Sequence, residues 1–100
     1  MSMKIMYAIA FDMDTDKMKE KFGESNYRNK YKEIGNFLEE RDFHRQQGSL
    51  YYGDKEKVKM GTAFLVIRKL SQELIWFKEC VKDVRVLSIL EQDDLIPHMI

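Results

Sequence analysis

The chain has 100 residues, and its 17 lysine and arginine side chains are balanced by 17 aspartate and glutamate side chains. This length fits one small domain over residues 1–100, and a hydrophobic content of 44% argues against disorder. The zero net charge excludes the strong overall positive field with which many proteins attract nucleic acids or membranes. The only cysteine, Cys80, excludes an intrachain disulfide and a cysteine zinc cluster.

The sequence carries no membrane or export signal that we can identify. No stretch approaches the ~20 consecutive apolar residues that a membrane-spanning helix requires. The N-terminus also lacks the apolar core and the small-residue cleavage site of a secretory signal peptide. We therefore expect a soluble cytoplasmic protein with no membrane partner.

The first predicted element is a strand over residues 4–12. Ile5, Tyr7, Ile9 and Phe11 point to one face, and Met6, Ala8, Ala10 and Asp12 point to the other. Both faces are apolar until Asp12, so we predict a central strand that has this carboxylate at its C-terminal end. A short acidic turn and about one helical turn are expected next, ending at Gly23.

A helix and a hairpin are predicted after this strand. The helix should begin with Ser25 as its N-cap and end near Asp42. Its apolar residues recur at helical spacing: Tyr27, Tyr31, Ile34 and Leu38. Residues 43–54, FHRQQGSLYYGD, then predict two short strands around a Gln47-Gly48 turn.

The second half of the chain predicts another helix and a last strand. The helix should span residues 56–72, with an inner face formed by Met60, Ala63, Phe64, Ile67 and Leu70. Residues 73–83, ELIWFKECVKD, predict a short helical packing segment. Residues 84–90, VRVLSIL, are β-branched and aliphatic and predict the last strand.

The order strand, helix, strand, strand, helix, strand predicts an α+β ferredoxin-like βαββαβ sandwich. Its four-stranded antiparallel sheet should have the order fourth, first, third, second, with helices on one face only. The other face would then expose Met6, Ala8 or Ala10. We therefore predict a homodimer in which a second copy covers this face.

Asp12 is the first candidate for chemistry, because it ends a central strand where loops and a second subunit come close. A carboxylate at this position can bind a divalent metal ion or orient a water molecule for attack on a phosphate. The alternative is a turn-forming aspartate that accepts hydrogen bonds from backbone N–H groups. Asp14 and Asp16, which follow closely, also form a good N-cap cluster for a helix.

The remaining reactive residue types give weaker signals. His44 and His98 lack a neighbouring carboxylate or cysteine pattern, so we interpret them as surface or strand histidines. Cys80 lies beside Trp76 and Phe77 and is interpreted as a reduced core thiol. The sequence contains no glycine-rich nucleotide-binding motif and no G-x-S-x-G motif, so a nucleotide cofactor or an acyl-transfer triad has no support.

Four segments together resemble the virulence-associated protein D (VapD) family: MYAIAFDMDTD, QQGSLYYGD, WFKECVKDVRVL and EQDDL. They follow the family's order over nearly the whole chain. The family's usual start corresponds to Met6, so residues 1–5 precede it.

The VapD family is similar in turn to the small CRISPR-associated nucleases. Those proteins have a strand that ends in aspartate and a later hairpin with the pattern Arg-x-Gln-x-Ser-Val-Phe-x-Gly. Asp12 corresponds to the strand-end aspartate. The hairpin pattern is followed by Arg45, Gln47, Ser49, Leu50, Tyr51 and Gly53, with Leu for Val and Tyr for Phe.

The resemblance implies a ferredoxin-like homodimer with endoribonuclease activity, acting as the toxin of a toxin–antitoxin pair. It also implies that the strand-end aspartates of two subunits hold a divalent metal such as Mg²⁺ near the scissile phosphate. Asp12 would then be the catalytic or metal-binding residue of a metal-assisted or metal-independent reaction, and Ser49 on the hairpin would approach the phosphate. RNA would be the substrate, and an antitoxin protein would be a further partner.

Two expectations concern how the nucleic acid is held. Lys17, Lys19 and Lys21 lie in the lysine-rich segment 17–32 and are predicted to contact the RNA backbone. Tyr51 and Tyr52 must face opposite sides of their strand, so one should be buried and the other should be available to stack on a base; we consider Tyr51 for this contact. The alternative function is a catalytically silent dimeric module that binds an antitoxin or a nucleic-acid complex.

Overall fold

The computed structural model describes residues 5–90 and 96–99, with side chains for the first of these ranges. In chain order the elements are β1 (Ile5–Met13), α1 (Thr15–Phe22), α2 (Tyr27–Glu39), β2 (Phe43–Gln47), β3 (Leu50–Gly53), α3 (Met60–Glu73), α4 (Ile75–Cys80), β4 (Val81–Leu90) and β5 (Ile96–Met99). The predicted EQDDL segment, residues 91–95, lies outside the described residues.

The strands form one antiparallel sheet in the order β2-β3-β1-β4-β5. The predicted order fourth, first, third, second is therefore confirmed, and with it the ferredoxin-like α+β fold. The sheet also has a strand that we did not predict, because β5 pairs with the outer side of β4. This short strand contains Pro97, which weakens a sequence-based strand prediction although proline is tolerated at a sheet edge.

One face of the sheet, which we call the helix face, packs against the helices. Ile9, Phe11 and Met13 of β1 point to this face and are buried in the main core. The helices contribute other fully buried side chains to the same core, including Met18, Ile34, Leu38, Leu70 and Phe77. Burial of this apolar surface is the main source of stability for a domain of this size.

The first two helices differ in length from the prediction. Helix α1 extends over two turns, because the Asp14 carboxylate accepts a hydrogen bond from the Lys17 backbone N–H at 3.1 Å and caps its start. Gly23, with a φ of 87°, ends it as predicted. Helix α2 begins at Tyr27, so its N-cap is Asn26, one residue after the predicted Ser25, and it ends three residues before Asp42.

The predicted inner face of the second long helix is partly wrong. Helix α3 buries Ala63, Val66 and Leu70, whereas Met60 and Phe64 are exposed. It also begins four residues later than expected. The Asp54 carboxylate accepts hydrogen bonds from the backbone N–H groups of residues 56 and 57, and this local turn precedes the helix.

The face opposite the helices, which we call the far face, carries its own small apolar cluster of Met6, Ala8, Leu87 and Ile89. We expected this face to expose Met6 and Ala8, but they are 8% and 0% exposed. Ala8 lies opposite Tyr52 on one neighbouring strand and Leu87 on the other, so larger cross-strand neighbours shield it.

No helix within the described ranges is long and apolar enough to cross a membrane.

Candidate active site

Asp12 lies one residue before the end of β1 and is exposed. Because side chains alternate along a strand, it belongs to the far face, in line with Ala8 and Ala10. The strand pairing with β4 becomes irregular immediately after it, between Asp12 and Met13. Within the described part of the chain, no residue donates a hydrogen bond to its carboxylate. This favours a functional carboxylate over a turn-forming one.

Two residues of β4 complete the surroundings of Asp12, and the sequence analysis missed both. Asp83 lies directly opposite Asp12, and Arg85 lies opposite Ala10. The Arg85 Nε donates a hydrogen bond to Asp83 Oδ2 at 2.6 Å. Carboxylates that lie opposite each other on neighbouring strands repel, and this guanidinium offsets one of the two charges. The pairing of Asp12 with Asp83 can be seen only from the strand register. The spacing of Asp83 and Arg85, two residues apart on a strand, already places these two side chains on one face.

The donor set at this position suits a hard metal ion. No group of three or more histidine, cysteine, aspartate or glutamate side chains comes together among the residues with described side chains. Asp12 and Asp83 instead offer two carboxylates. Mg²⁺ is commonly bound by one or two carboxylates while water and substrate phosphates complete its shell, so the two residues fit this ion when substrate is present.

The β2–β3 hairpin brings Ser49 to the same end of the sheet. The Ser49 carbonyl accepts a hydrogen bond from the Phe11 backbone N–H at 3.1 Å, and Phe11 is the residue before Asp12. Ser49 therefore lies beside Phe11, one residue before Asp12; the proposed catalytic roles concern Asp12 and Ser49 themselves. Their roles remain predictions.

An open groove of about 520 Å³ begins beside Ser49 and runs between α2 and the hairpin. Tyr31 and Lys32 line it from α2, and Arg45 lines it from β2. The pKa of Tyr31 is raised first by burial and then by the negative charges that Tyr27 and Asp12 would carry. The groove reaches β1 at Phe11, the residue before Asp12.

The sequence analysis also missed a carboxylate beside His44. Glu39 Oε1 lies 2.7 Å from His44 Nδ1, and Glu39 Oε2 accepts a hydrogen bond from the Arg45 backbone N–H at 3.1 Å. The statement that His44 lacks a neighbouring carboxylate was therefore wrong, because the turn between α2 and β2 brings together two residues five positions apart. The hydrogen bond from His44, followed by that from Arg45, lowers the pKa of Glu39. The His98 side chain lies outside the described residues.

The three lysines predicted to bind RNA do not form one surface. Lys17 and Lys21 lie on the side of α1 that faces α4, and Lys21 forms an ion pair with Glu79 at 2.6 Å. Lys19 instead lies over the Tyr27 ring, 5.5 Å from its centre. Their contact with RNA remains a prediction.

Tyr51 is the buried member of the tyrosine pair, at 5% exposed, and Tyr52 on the far face is half-buried. The Tyr51 ring stacks against Phe11 with ring centres 6.0 Å apart. Tyr51 also lines the groove described above, and its contact with a base remains a prediction. Cys80 is a buried free thiol whose pKa is raised by burial, as expected for a core cysteine.

The chain is a small α+β protein with a ferredoxin-like sheet. It has an exposed aspartate near the end of the first strand and a hairpin with a serine beside that strand. No family model matches the chain. The chain is 42% identical to endoribonuclease VapD 2 of Riemerella anatipestifer, over 92% of this chain and 97% of that protein. It is 40% identical to an endoribonuclease VapD homolog of Helicobacter pylori, over 92% of this chain and 94% of that one. Endoribonuclease VapD of Dichelobacter nodosus is 36% identical, over 89% and 91% respectively. The chain belongs to the VapD family.

Proposed function

We propose that this protein is an endoribonuclease that cleaves RNA at the end of β1. The observation that carries the proposal is the exposed Asp12 beside the Ser49 hairpin in a chain whose relatives are named endoribonucleases over about nine tenths of its length. An exposed carboxylate without a structural hydrogen bond is free to interact with a substrate.

In the proposed reaction a water molecule attacks the scissile phosphorus, and Asp12 accepts the proton that this water loses. The new phosphorus–oxygen bond forms as the bond to the leaving ribose oxygen breaks, and that oxygen takes a proton from solvent. If Mg²⁺ takes part, Asp12 and Asp83 would hold it, and the ion would stabilise negative charge on the phosphate. Ser49 would approach the same phosphate from the hairpin.

The proposal also covers the assembly and the cellular role. We propose a cytoplasmic homodimer that acts as the toxin of a toxin–antitoxin pair and binds an antitoxin protein. Far-face residues that remain half-buried, namely Ala10, Leu50 and Tyr52, support a second subunit there. Their small apolar surface adjoins Asp12, so a dimer through this face would bring two Asp12 side chains near each other.

Asp12→Asn tests the catalytic role, because it removes the charge and keeps the size of the side chain. RNA cleavage should fall about 10²-fold or more, as is typical for the loss of a positioned acid–base group. Asp16→Asn is the matched control, since it removes another exposed carboxylate four residues along the chain and should leave cleavage unchanged. The assay uses mixed RNA with and without Mg²⁺.

An Asp12→Asn variant that is folded and cuts RNA at the parent rate would contradict the catalytic role. A parent protein that binds RNA without cutting it would instead support the silent interaction module. Size-exclusion chromatography with light scattering tests the assembly, and a strict monomer at tens of micromolar would remove the dimer and any shared aspartate site.

A further inference from the structure

We propose that the groove between α2 and the β2–β3 hairpin binds one nucleotide of the RNA, next to the phosphate that is cut. This inference rests on the proposed function and adds a substrate-binding site to it. A volume of about 520 Å³ lies in the range of pockets that bind small organic ligands, and a single nucleotide is of this class.

The floor of the groove is apolar and held in place by packing. Phe11 and Tyr51 both line it, and their rings are stacked with an angle of 21° between their planes. Both residues are buried in the main core, so this floor is rigid. Gly35 on α2 allows the close fit, because a Cβ atom there would lie 2.7 Å from the Tyr51 hydroxyl. A base or a ribose can pack on such a floor without first ordering it.

The walls carry positive charge at two points. Arg45 lies on the hairpin side, where its Nε donates a hydrogen bond to the Gly48 carbonyl at 3.0 Å and fixes the guanidinium beside Ser49. Lys32 lies on the α2 side and is exposed, with no ion pair to any residue whose side chain is described. A phosphate between the two walls would meet charge-assisted donors from both sides.

One carboxylate, Glu39, also lines the groove. Its two oxygens accept hydrogen bonds from the His44 ring and from the Arg45 backbone N–H, so it is held at the edge strand. With Lys32 and Arg45 against Glu39 alone, the groove has an excess of one positive charge. This balance favours an anionic ligand over a cationic one.

The position of the groove favours a nucleotide within an RNA chain over a free nucleotide. The groove ends at Ser49 and Phe11, which are joined by a backbone hydrogen bond one residue before Asp12. The groove lies on the helix face and the Asp12 side chain on the far face, both close to the end of β1 where cleavage is proposed. Because Asp12 lies at the tip of β1, the RNA reaches it around the end of the sheet.

Binding of a short fluorescein-labelled RNA tests the site by fluorescence anisotropy, with EDTA present and with Asp12→Asn in every protein compared so that the RNA is not cut. Asn36→Trp places a large side chain at the groove and should weaken binding about 10-fold, as expected for the loss of one stacked base. Asn29→Trp is the matched control on the same helix, because Asn29 is also exposed but does not line the groove. Gels run afterwards verify that the RNA is intact.

A second variant does not depend on the fit of a tryptophan. Lys32→Gln should weaken binding about 3- to 10-fold and should lower the slope of log K against log salt by about 0.7, the value for one contact to a single strand. Lys78→Gln, an exposed lysine of α4, should change neither quantity. Melting temperatures of all variants confirm that they are folded.

The outcomes separate the site from the reaction. If Asn36→Trp and Lys32→Gln bind RNA as the parent does, the groove is not the binding site, even where the parent cuts RNA. Groove-dependent binding without cleavage supports the site and contradicts the nuclease. A parent that does not bind RNA overturns both. If adenosine monophosphate binds in the groove while RNA does not, the ligand is a free nucleotide and the inference fails.

Discussion

The two faces of the sheet use the same strand for different purposes. On the helix face, β1 remains apolar to its end, and Ile9, Phe11 and Met13 are all buried. On the far face, the side chains become smaller and then acidic, from Met6 through Ala8 and Ala10 to Asp12. The helix face therefore supplies stability up to the tip of the strand. This allows the far face to end in a charged residue that contributes little to folding.

The largest expected effect comes from removing one buried isoleucine from each face. Ile9 on the helix face and Ile89 on the far face are 0% and 1% exposed, so they bury similar areas. We expect Ile9→Ala to lower the free energy of unfolding by about 4 kcal/mol and Ile89→Ala by about 2–3 kcal/mol. We expect this difference because Ile9 lies in the larger buried cluster, where the surrounding side chains have less freedom to fill a cavity. Urea unfolding of both variants measures it.

Equal losses at the two positions would show that the faces are packed equally well. If the far face binds a second copy of the chain, the loss at Ile89 should also depend on protein concentration, whereas the loss at Ile9 should depend on it less.

The next effect concerns Asp14, which stands two residues after Asp12. Asp14→Ala should lower the free energy of unfolding by about 1 kcal/mol, because the cap of α1 is lost. Asp14→Asn retains a hydrogen-bond acceptor at the cap and should therefore lose only a small part of this free energy. Thermal unfolding followed by circular dichroism measures both, and an Asp14→Ala protein as stable as the parent would show that the cap is not needed.

Asp12 should behave in the opposite way. Asp12→Asn should raise the free energy of unfolding by up to about 0.5 kcal/mol, since it removes one of two like charges that lie opposite each other. The gain should shrink in about 1 M salt, where the Debye length is about 3 Å. A loss of stability would mean that the Asp12 carboxylate has a structural partner. It would contradict the conclusion that this residue contributes little to folding.

The smallest effect depends on pH. The pKa of Glu39 is lowered from its ordinary value of 4.5 by hydrogen bonds from His44 and Arg45. The unfolded chain therefore takes up this proton at higher pH than the folded chain. The contribution of the ionised Glu39 carboxylate to the free energy of unfolding is present above pH 4.5 and is lost as the pH falls through the lowered pKa. Because the carboxylate is exposed, it amounts to a few tenths of a kcal/mol.

Glu39→Gln checks this dependence. The parent should be more stable than the variant at pH 7, and this difference in stability should disappear as the pH falls through the lowered pKa of Glu39. A difference in stability that stays constant over this range would show that the ionised carboxylate contributes nothing.

The sequence predicts the elements whose patterns have a single interpretation. The alternation of side chains in β1 and the glycine turn of the β2–β3 hairpin were sufficient to predict these strands, because each pattern is incompatible with a helix. Helix α3 is apolar on several sides, so periodicity alone could not decide between Phe64, which is exposed, and Val66, which is buried. Asp12 and Ser49 could be selected as candidates. Their neighbour Asp83 could not, because the pairing of β1 with β4 depends on a register that the sequence does not state.

The Glu39 carboxylate has a further consequence for how the protein avoids aggregation. Strand β2 is an edge of the sheet, and an edge with unpaired N–H groups is a template on which another chain can add a strand. Glu39 already accepts the hydrogen bond of the Arg45 N–H, and after Phe43 the side chains of β2 are exposed and polar. Growth of the sheet beyond this edge would first have to displace a carboxylate. The Glu39 carboxylate and the polar side chains of β2 therefore oppose the addition of a neighbour's strand at this edge.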